Sequence, residues 1–204
     1  MRTIYYFRHG LPDFPGGVTL CLGPTPDLPL SAEGRAAAAA YADFFRRKRF
    51  PAVWSSPMRR CRETAAALTG GAIPIRLVPD LHELVYGAWE GLSFGEIRAR
   101  FPELYARRAT DMSLMPPGAE QVPDAARRGT EALRGILART EGDVAVVAHA
   151  ALGRAVTWAA SGRPLEQIQA FQIDYLHVTM LRWDGERLSV HAVNLDAAAL
   201  AGEI

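Results

Sequence analysis

The sequence predicts an α/β domain, a three-layer α/β/α sandwich around a mostly parallel mixed sheet with a C-terminal antiparallel hairpin. Three observations carry that reading. Strand-like apolar runs alternate with helically spaced ones along most of the chain. Asp143-Val144-Ala145-Val146-Val147-Ala148 is continuously apolar after its first residue, which suits a strand covered on both faces of a parallel sheet. Near the C-terminus two strand-like runs flank Asp184-Gly185, a two-residue hairpin signal. The 204 residues are read as a single domain, 1–204, with no internal repeat and no linker.

The elements follow in chain order. Residues 3–7, Thr-Ile-Tyr-Tyr-Phe, are β-branched and aromatic and predict a short buried strand. Residues 11–30 hold five Pro and three Gly and read as a loop, long enough to expect a functional role. Ser31 is placed to cap a helix running to about Lys48, with Tyr41, Phe44 and Phe45 on one face. Ala52 to Ser55 is a second strand, and Pro57 then opens a helix that ends near Gly70-Gly71. Ile73 to Val78 suggests a third strand. Ser93-Phe94-Gly95-Glu96 has the pattern of a capping box, and Pro102 breaks and restarts the helix that follows. Residues 113–119 are loop. From Pro123 to Thr140 the spacing is helical, and Leu152, Ala155, Val156 and Ala159 define a last helix closed by Gly162 and Pro164. The hairpin strands are His177 to Trp183 and Glu186 to Val193.

Composition narrows the function without naming it. Apolar types make up 49% and charged types 22%, which excludes a disordered or fibrous chain. A formal net charge of +1 creates no global field that would recruit nucleic acid or a membrane, so neither is expected as a partner. Of 23 basic residues 22 are Arg, and 34 residues are Ala. That pattern fits a compositional bias, so only the placement of a particular Arg carries information. Two cysteines, Cys21 and Cys61, cannot build a tetrahedral thiolate site, and the five His show no metal-ligand spacing, so neither a metal nor another cofactor is expected. The N-terminal residues lack the pattern of a signal peptide and no segment approaches a membrane span, which makes a cytoplasmic location the expectation. Oligomeric state is not legible.

The chemistry collects at strand ends. The first predicted strand runs into Arg8-His9-Gly10, the second into Ser55-Ser56 and a helix bearing Arg60, and the 143–148 run into His149. In open α/β sheets ligands bind outside the carboxyl ends of the strands. Three separate segments therefore deliver two Arg and two His to one predicted edge. Each piece alone is weak, because a lone His at a strand end is more often a structural hydrogen-bonding residue.

Together the motifs resemble the histidine phosphatase superfamily, also called the phosphoglycerate-mutase-like family. Tyr6-Phe7-Arg8-His9-Gly10 looks like its first strand and RHG motif. Leu28-Pro29-Leu30-Ser31-Ala32-Glu33-Gly34 resembles the helix start that follows. Ser55-Ser56-Pro57-Met58-Arg59-Arg60-Cys61-Arg62-Glu63-Thr64-Ala65 is similar to the segment that carries the family's second Arg, at Arg60. Leu81-His82-Glu83-Leu84-Val85-Tyr86-Gly87-Ala88-Trp89-Glu90-Gly91 places the family acid at Glu83. Pro117-Gly118-Ala119-Glu120 resembles a PGGE turn, and Val146-Val147-Ala148-His149-Ala150 presents the second His. The matches keep order and spacing from residue 5 to about 156. Two departures stand out: Leu11-Pro12-Asp13-Phe14-Pro15 follows RHG where the family often has Glu or Gln and Thr, and Ala150-Ala151 follows the second His where Gly-Gly is usual.

The resemblance implies a metal-independent phosphomonoesterase acting on a small phosphate ester. His9 would be the nucleophile that becomes a phosphohistidine, and Glu83 the general acid and base. Arg8, Arg60 and His149 would complete the catalytic set, with Gly10 and Ala150 joining them at the substrate. Two guanidinium charges beside His9 would favour its neutral, nucleophilic form. Gly16 to Pro29 distantly resembles the corresponding loop of α-ribazole phosphatases. The competing expectations are a phosphoglycerate mutase, which transfers the phosphoryl group to a second alcohol, and a non-catalytic phosphoryl-binding protein. Other polar residues have plainer readings. His177 and His191 belong to the hairpin surface, His82 points away from the acid, and Arg46-Arg47-Lys48-Arg49 is a solvated helix end. Arg59 and Arg62 face solvent or substrate, and Glu90 and Glu120 are candidates only for supporting contacts.

Overall fold

The computed structural model describes residues 1–203. Its strands are β1 (Arg2–Arg8), β2 (Val53–Ser55), β3 (Ile75–Leu77), β4 (Val144–Ala148), β5 (Val178–Trp183) and β6 (Leu188–Leu195). They form one sheet in the order β3-β2-β4-β1-β5-β6. The first four pair in parallel, and β5 joins β1 and β6 in antiparallel fashion. This is the mixed sheet with an antiparallel edge that the sequence predicts.

Helices cover both faces, and the period-2 alternation of each strand feeds both layers. From β1, Ile4 and Tyr6 pack into one core cluster with Leu133 and Ile136 of α6 (Val122–Ala138) and Leu152 and Val156 of α7 (Ala150–Ser161). Tyr5 and Phe7 point the other way, onto Phe44 and Phe45 of α2 (Ala42–Lys48) and Cys61 and Leu68 of α3 (Arg59–Thr69). β4 divides its five buried residues between the same two cores.

The expected helix from Ser31 to Lys48 is two helices, α1 (Ala32–Ala39) and α2, divided at Ala40-Tyr41. Ser31 does cap α1, accepting from the Gly34 N–H at 2.9 Å. The turn lets the Tyr41 hydroxyl donate to the Leu176 carbonyl at 2.8 Å and its ring meet Phe7 edge-on at 5.6 Å. A run of five alanines before it offers no side chain that would mark the break. Helix α3 begins at Arg59, two residues beyond Pro57, because the chain bends at Pro57-Met58 before the helix starts. Ser93 and Glu96 form the capping box of α4 (Phe94–Arg100), and Pro102 opens α5 (Pro102–Arg108). A short α8 (Ala197–Ala201), capped by Asp196, has no counterpart in the sequence reading.

The 11–30 loop is tied down along its length. Pro12 bridges to Leu30 and Leu20 to Ser93, and the Leu30 N–H donates to Glu63 at 3.0 Å. Glu90 takes the Thr25 N–H at 3.2 Å and the Thr25 hydroxyl, which gives it a structural task in holding the loop.

Helix α1 approaches the stretch after β1 so closely that a Cβ on Gly34 would lie 2.4 Å from the Leu11 carbonyl oxygen and 2.8 Å from its nitrogen. Backbone cannot yield as a flexible side chain can. Gly34→Ala is therefore expected to destabilise the protein by roughly 1–3 kcal/mol, measured by denaturant unfolding; an unchanged midpoint would contradict the close approach.

Candidate active site

Strands β2, β4 and β1 are adjacent and parallel, so their carboxyl ends open on one edge. The chain leaves each strand with its ladder bonds extended by one residue. The His9 N–H donates to the Ala148 carbonyl at 3.0 Å and the Ser56 N–H to the Val147 carbonyl at 2.9 Å. The rings of His9 and His149 come within 5.2 Å of each other, centroid to centroid. Sheet register alone thus assembles residues that lie 140 positions apart.

His9 is held as one neutral tautomer. Its Nδ1 lies 2.7 Å from the Gly10 carbonyl, an acceptor, so Nδ1 carries the proton. Arg60 Nε donates to His9 Nε2 at 3.3 Å, so Nε2 is the unprotonated nitrogen, its lone pair engaged by that long contact. Burial first, and then the Arg60 and Arg8 charges, push the imidazole well below its ordinary pKa, against a weaker upward pull from the Gly10 carbonyl. The expected effect of the two cations is present, and burial exceeds it.

Both guanidiniums are anchored on one edge and carry an unpartnered buried donor on another. Arg60, with no exposed surface, gives Nη2 to the Gly23 carbonyl at 2.9 Å and to His149 Nδ1 at 3.2 Å. Its Nη1 is buried with no hydrogen-bond partner, the carboxylate of Asp27 standing 3.9 Å away. Arg8 gives Nη1 to the Ile173 carbonyl at 2.9 Å, lies over the Tyr175 ring at 3.6 Å, and leaves its buried Nε unpartnered. Orphaned charged donors on two guanidiniums whose charges act on one imidazole suit an anion whose oxygens take those donors.

His149 sits behind this pair, fully buried. Because Arg60 can only donate, His149 Nδ1 accepts and Nε2 carries the proton, which reaches Ser56 Oγ at 2.8 Å. Burial, then the Arg60 charge, holds this imidazole well below its ordinary pKa too. The Tyr6 hydroxyl clamps the residue's backbone, donating to its carbonyl at 2.8 Å and accepting from its N–H at 3.1 Å.

Glu83, the residue expected to be the family acid, is buried, with 5% of its surface exposed. Helix α7 has no side-chain cap of its own, and Glu83 supplies one from another segment. Oε1 accepts from the Leu84 and Leu152 N–H groups, both at 2.8 Å, and Oε2 from the Ala151 N–H alone at 3.1 Å. Oε2 therefore keeps a free lone pair.

A cavity of about 420 Å³ opens in front of these groups, lined by Arg8, His9, Glu83 and Ala150 among the expected residues. Arg60 and His149 adjoin His9 without being among the cavity's lining residues. Gly10 has a different part from the one expected. Its N–H is taken by Thr64 Oγ1 at 3.0 Å, and a Cβ there would meet the Gly34 carbonyl oxygen at 2.9 Å, so it secures close packing and orients His9 through its own carbonyl. Sequence reasoning missed Tyr175, Arg108 and Arg154, which also line the cavity. In a chain so rich in Arg nothing singled out the last two, and Tyr175 lies beyond the recognisable motifs. Of the peripheral residues, Arg59 pairs with Glu63 and Glu120 with Arg128, while Cys21 and Cys61 are free buried thiols. Among the described residues no cluster of His, Cys, Asp and Glu could hold a metal ion, and no helix is long and apolar enough to cross a membrane.

Residues 4–196 match the histidine phosphatase superfamily (branch 1). A bifunctional protein of Mycobacterium tuberculosis is 42% identical over 115 residues, which are 55% of this chain and 31% of that protein. The chain thus spans about a third of the length of the curated relatives it matches first. Among solved structures, a mycobacterial glucosyl-3-phosphoglycerate phosphatase in complex with vanadate superimposes with a TM-score of 0.84 at 27% identity, over 96% of this chain and 100% of that one. YhfR of Bacillus stearothermophilus gives a TM-score of 0.86 at 29% identity, over 97% and 98%.

The two depressed imidazoles fix a pH dependence. Below about pH 6.5 an unfolded chain protonates both His while the native one does not, so the unfolded state binds more protons and stability falls as pH drops. Each His is expected to contribute a slope approaching ~1.4 kcal/mol per pH unit in that window. Denaturant unfolding of the wild type and of His9→Asn between about pH 7 and 5 checks this, and the variant should lose about one proton's worth of slope. A flat wild-type profile would show that the pair is not held neutral.

Proposed function

The chain belongs to the histidine phosphatase superfamily (branch 1), and from that premise we propose that it is a phosphomonoesterase that hydrolyses a small phosphorylated metabolite through a phosphohistidine on His9. One observation carries the reading: the unprotonated Nε2 of a neutral His9 accepts only a long contact from Arg60, and Arg60 and Arg8 each keep a buried donor without a partner. Such a cage stabilises charge on the travelling phosphoryl group, and phosphoryl transfer depends mostly on positioning and charge.

The steps balance as follows. His9 Nε2 attacks phosphorus while the bond to the alcohol oxygen breaks. Glu83 Oε2 gives its proton to that oxygen, which leaves as the neutral alcohol. A water then attacks the phosphohistidine and returns its proton to Oε2, and the electron pair of the N–P bond goes back to Nε2. Arg8 and Arg60 hold the non-bridging oxygens throughout, and His149 keeps Arg60 aimed. Arg suits this task better than Lys because its fork matches two phosphoryl oxygens. The similar mycobacterial protein is by name a glucosyl-3-phosphoglycerate phosphatase, which supports the substrate class and leaves the individual compound to experiment.

Phosphate release from p-nitrophenyl phosphate should vanish in His9→Ala, and acid quenching of the wild type in mid-turnover should trap an acid-labile, alkali-stable adduct on His9. Retained turnover in the variant would refute the nucleophile. Glu83→Gln should slow alkyl phosphates by about 10²–10⁴-fold and p-nitrophenyl phosphate far less, since nitrophenolate leaves without a proton; equal losses would remove the acid role. A substrate panel that includes α-ribazole phosphate, glucosyl-3-phosphoglycerate and 3-phosphoglycerate primed with 2,3-bisphosphoglycerate identifies the physiological ester. Interconversion in the last case without phosphate release would replace water by a second alcohol as acceptor.

A further inference from the structure

One face of Arg8 is covered by a ring that takes no part in the proton and phosphoryl steps. The guanidinium carbon of Arg8 lies over Tyr175, 3.6 Å from the ring centroid, and the same ring stands 5.6 Å from that of His9. Tyr175 therefore touches one member of the catalytic set and adjoins another.

The backbone is arranged to keep this contact. Tyr175 and Leu176 form the turn that leads into β5, and Leu176 has a φ of 62°, in the left-handed region that a side chain seldom adopts. Such a conformation persists only where its surroundings impose it. The Leu176 N–H donates to the Arg8 carbonyl and the Arg8 N–H to the His177 carbonyl, both at 3.2 Å. The Leu176 carbonyl accepts the Tyr41 hydroxyl at 2.8 Å. Just upstream, the Asp174 N–H donates to Asn194 Oδ1 at 2.7 Å, and Asn194 Nδ2 donates back to Asp174 Oδ2 at 2.9 Å, which ties the turn to β6. Two of these bonds are made by the main chain of Arg8 itself, so ring and guanidinium are set in register by residue 8.

Stacking grips Arg8 by the one surface that carries no proton. All five guanidinium N–H groups lie in its plane, so a ring on the face leaves them free, whereas a forked carboxylate would take two of them. Among the described residues no carboxylate lies within 4.0 Å of Arg8. Nη1 goes to the Ile173 carbonyl, and the buried Nε has no partner. Burial disfavours the charge and pulls Arg8 below its ordinary pKa, and the negative face of an aromatic ring offsets part of that cost.

We propose that Tyr175 is a positioning residue of the phosphoryl transfer: its ring fixes the plane of the Arg8 guanidinium, so that the unpartnered donor edge is aimed before the phosphoryl oxygens arrive. This deepens the phosphatase reading and rests on it for the reaction, while the hold on Arg8 is a property of the turn. The contact is made by the ring face and not by the hydroxyl, so phenylalanine can replace tyrosine and an aliphatic side chain cannot.

A change in the ring's charge distribution at constant shape separates positioning from packing. Phenylalanine and its mono-, di- and trifluorinated analogues are placed at position 175, and both p-nitrophenyl phosphate hydrolysis and calorimetric affinity for tungstate, an inert oxyanion, are measured. Tyr175→Phe should stay within about twofold of the wild type in both, and successive fluorination, which drains the negative face, should lower both stepwise by up to about tenfold. Tyr175→Leu should weaken tungstate binding by about tenfold, and by little more than the single change when added to Arg8→Gln. Thermal unfolding is recorded for each, and the fluorinated series stays informative if Tyr175→Leu does not fold. Values that are flat across the fluorinated series, a Tyr175→Phe protein as impaired as Tyr175→Leu, or losses that add fully to those of Arg8→Gln overturn the positioning role. Tungstate affinity that follows the series while no ester releases phosphate would leave the hold on Arg8 standing and reject the phosphatase reading instead.

Discussion

The site depends on a neutral imidazole held against a fully buried guanidinium. The Arg60 Nε to His9 Nε2 contact forces the ring nitrogen to act as acceptor, and the Gly10 carbonyl on the other side forces its twin to act as donor. Neither partner can exchange roles, since Arg has no lone pair to offer and a carbonyl has no proton. The tautomer is therefore set by covalent chemistry before any substrate arrives. The same Arg60 fixes the tautomer of His149, so one cation orders both imidazoles.

Holding that cation without a close carboxylate is costly, and the surrounding architecture shows how it is managed. The Gly23 carbonyl takes one edge of Arg60, and the Gly23 backbone can come that close because it lacks a Cβ, which would stand 2.3 Å from a Glu90 oxygen. Glu90 in turn fastens Thr25 and accepts the Tyr86 N–H at 2.9 Å. The proline- and glycine-rich loop, which looks poor in chemistry as a sequence, thus supplies the neutral oxygen that positions a charge. Asp27 in the same loop stays at 3.9 Å, near enough to moderate the field and too far to quench it.

The sheet, the order of its elements and the gathering of Arg8, His9, Arg60 and His149 were legible because each depends on local signals. Apolar runs, caps and turn residues define the elements, and parallel pairing brings strand ends to one edge. The burial of Glu83 was not legible from its own segment. Its partners are backbone N–H groups some 68 residues away, and backbone donors leave no mark in a sequence. The break between α1 and α2 was hidden in a run of alanines, and Arg108 and Arg154 were hidden by the abundance of their own residue type. What escaped notice was in each case a tertiary contact made by an unremarkable residue.

Helix α7 begins on the oxygens of Glu83, and Arg154 rides the same helix one turn further in. A carboxylate that caps a helix and also lines the cavity ties the pocket wall to the scaffold. Its two oxygens, set against the N-terminal end of the helix dipole, hold the first turn. The Arg154 guanidinium on the cavity wall is thereby carried by a helix whose start is pinned from another segment of the same cavity.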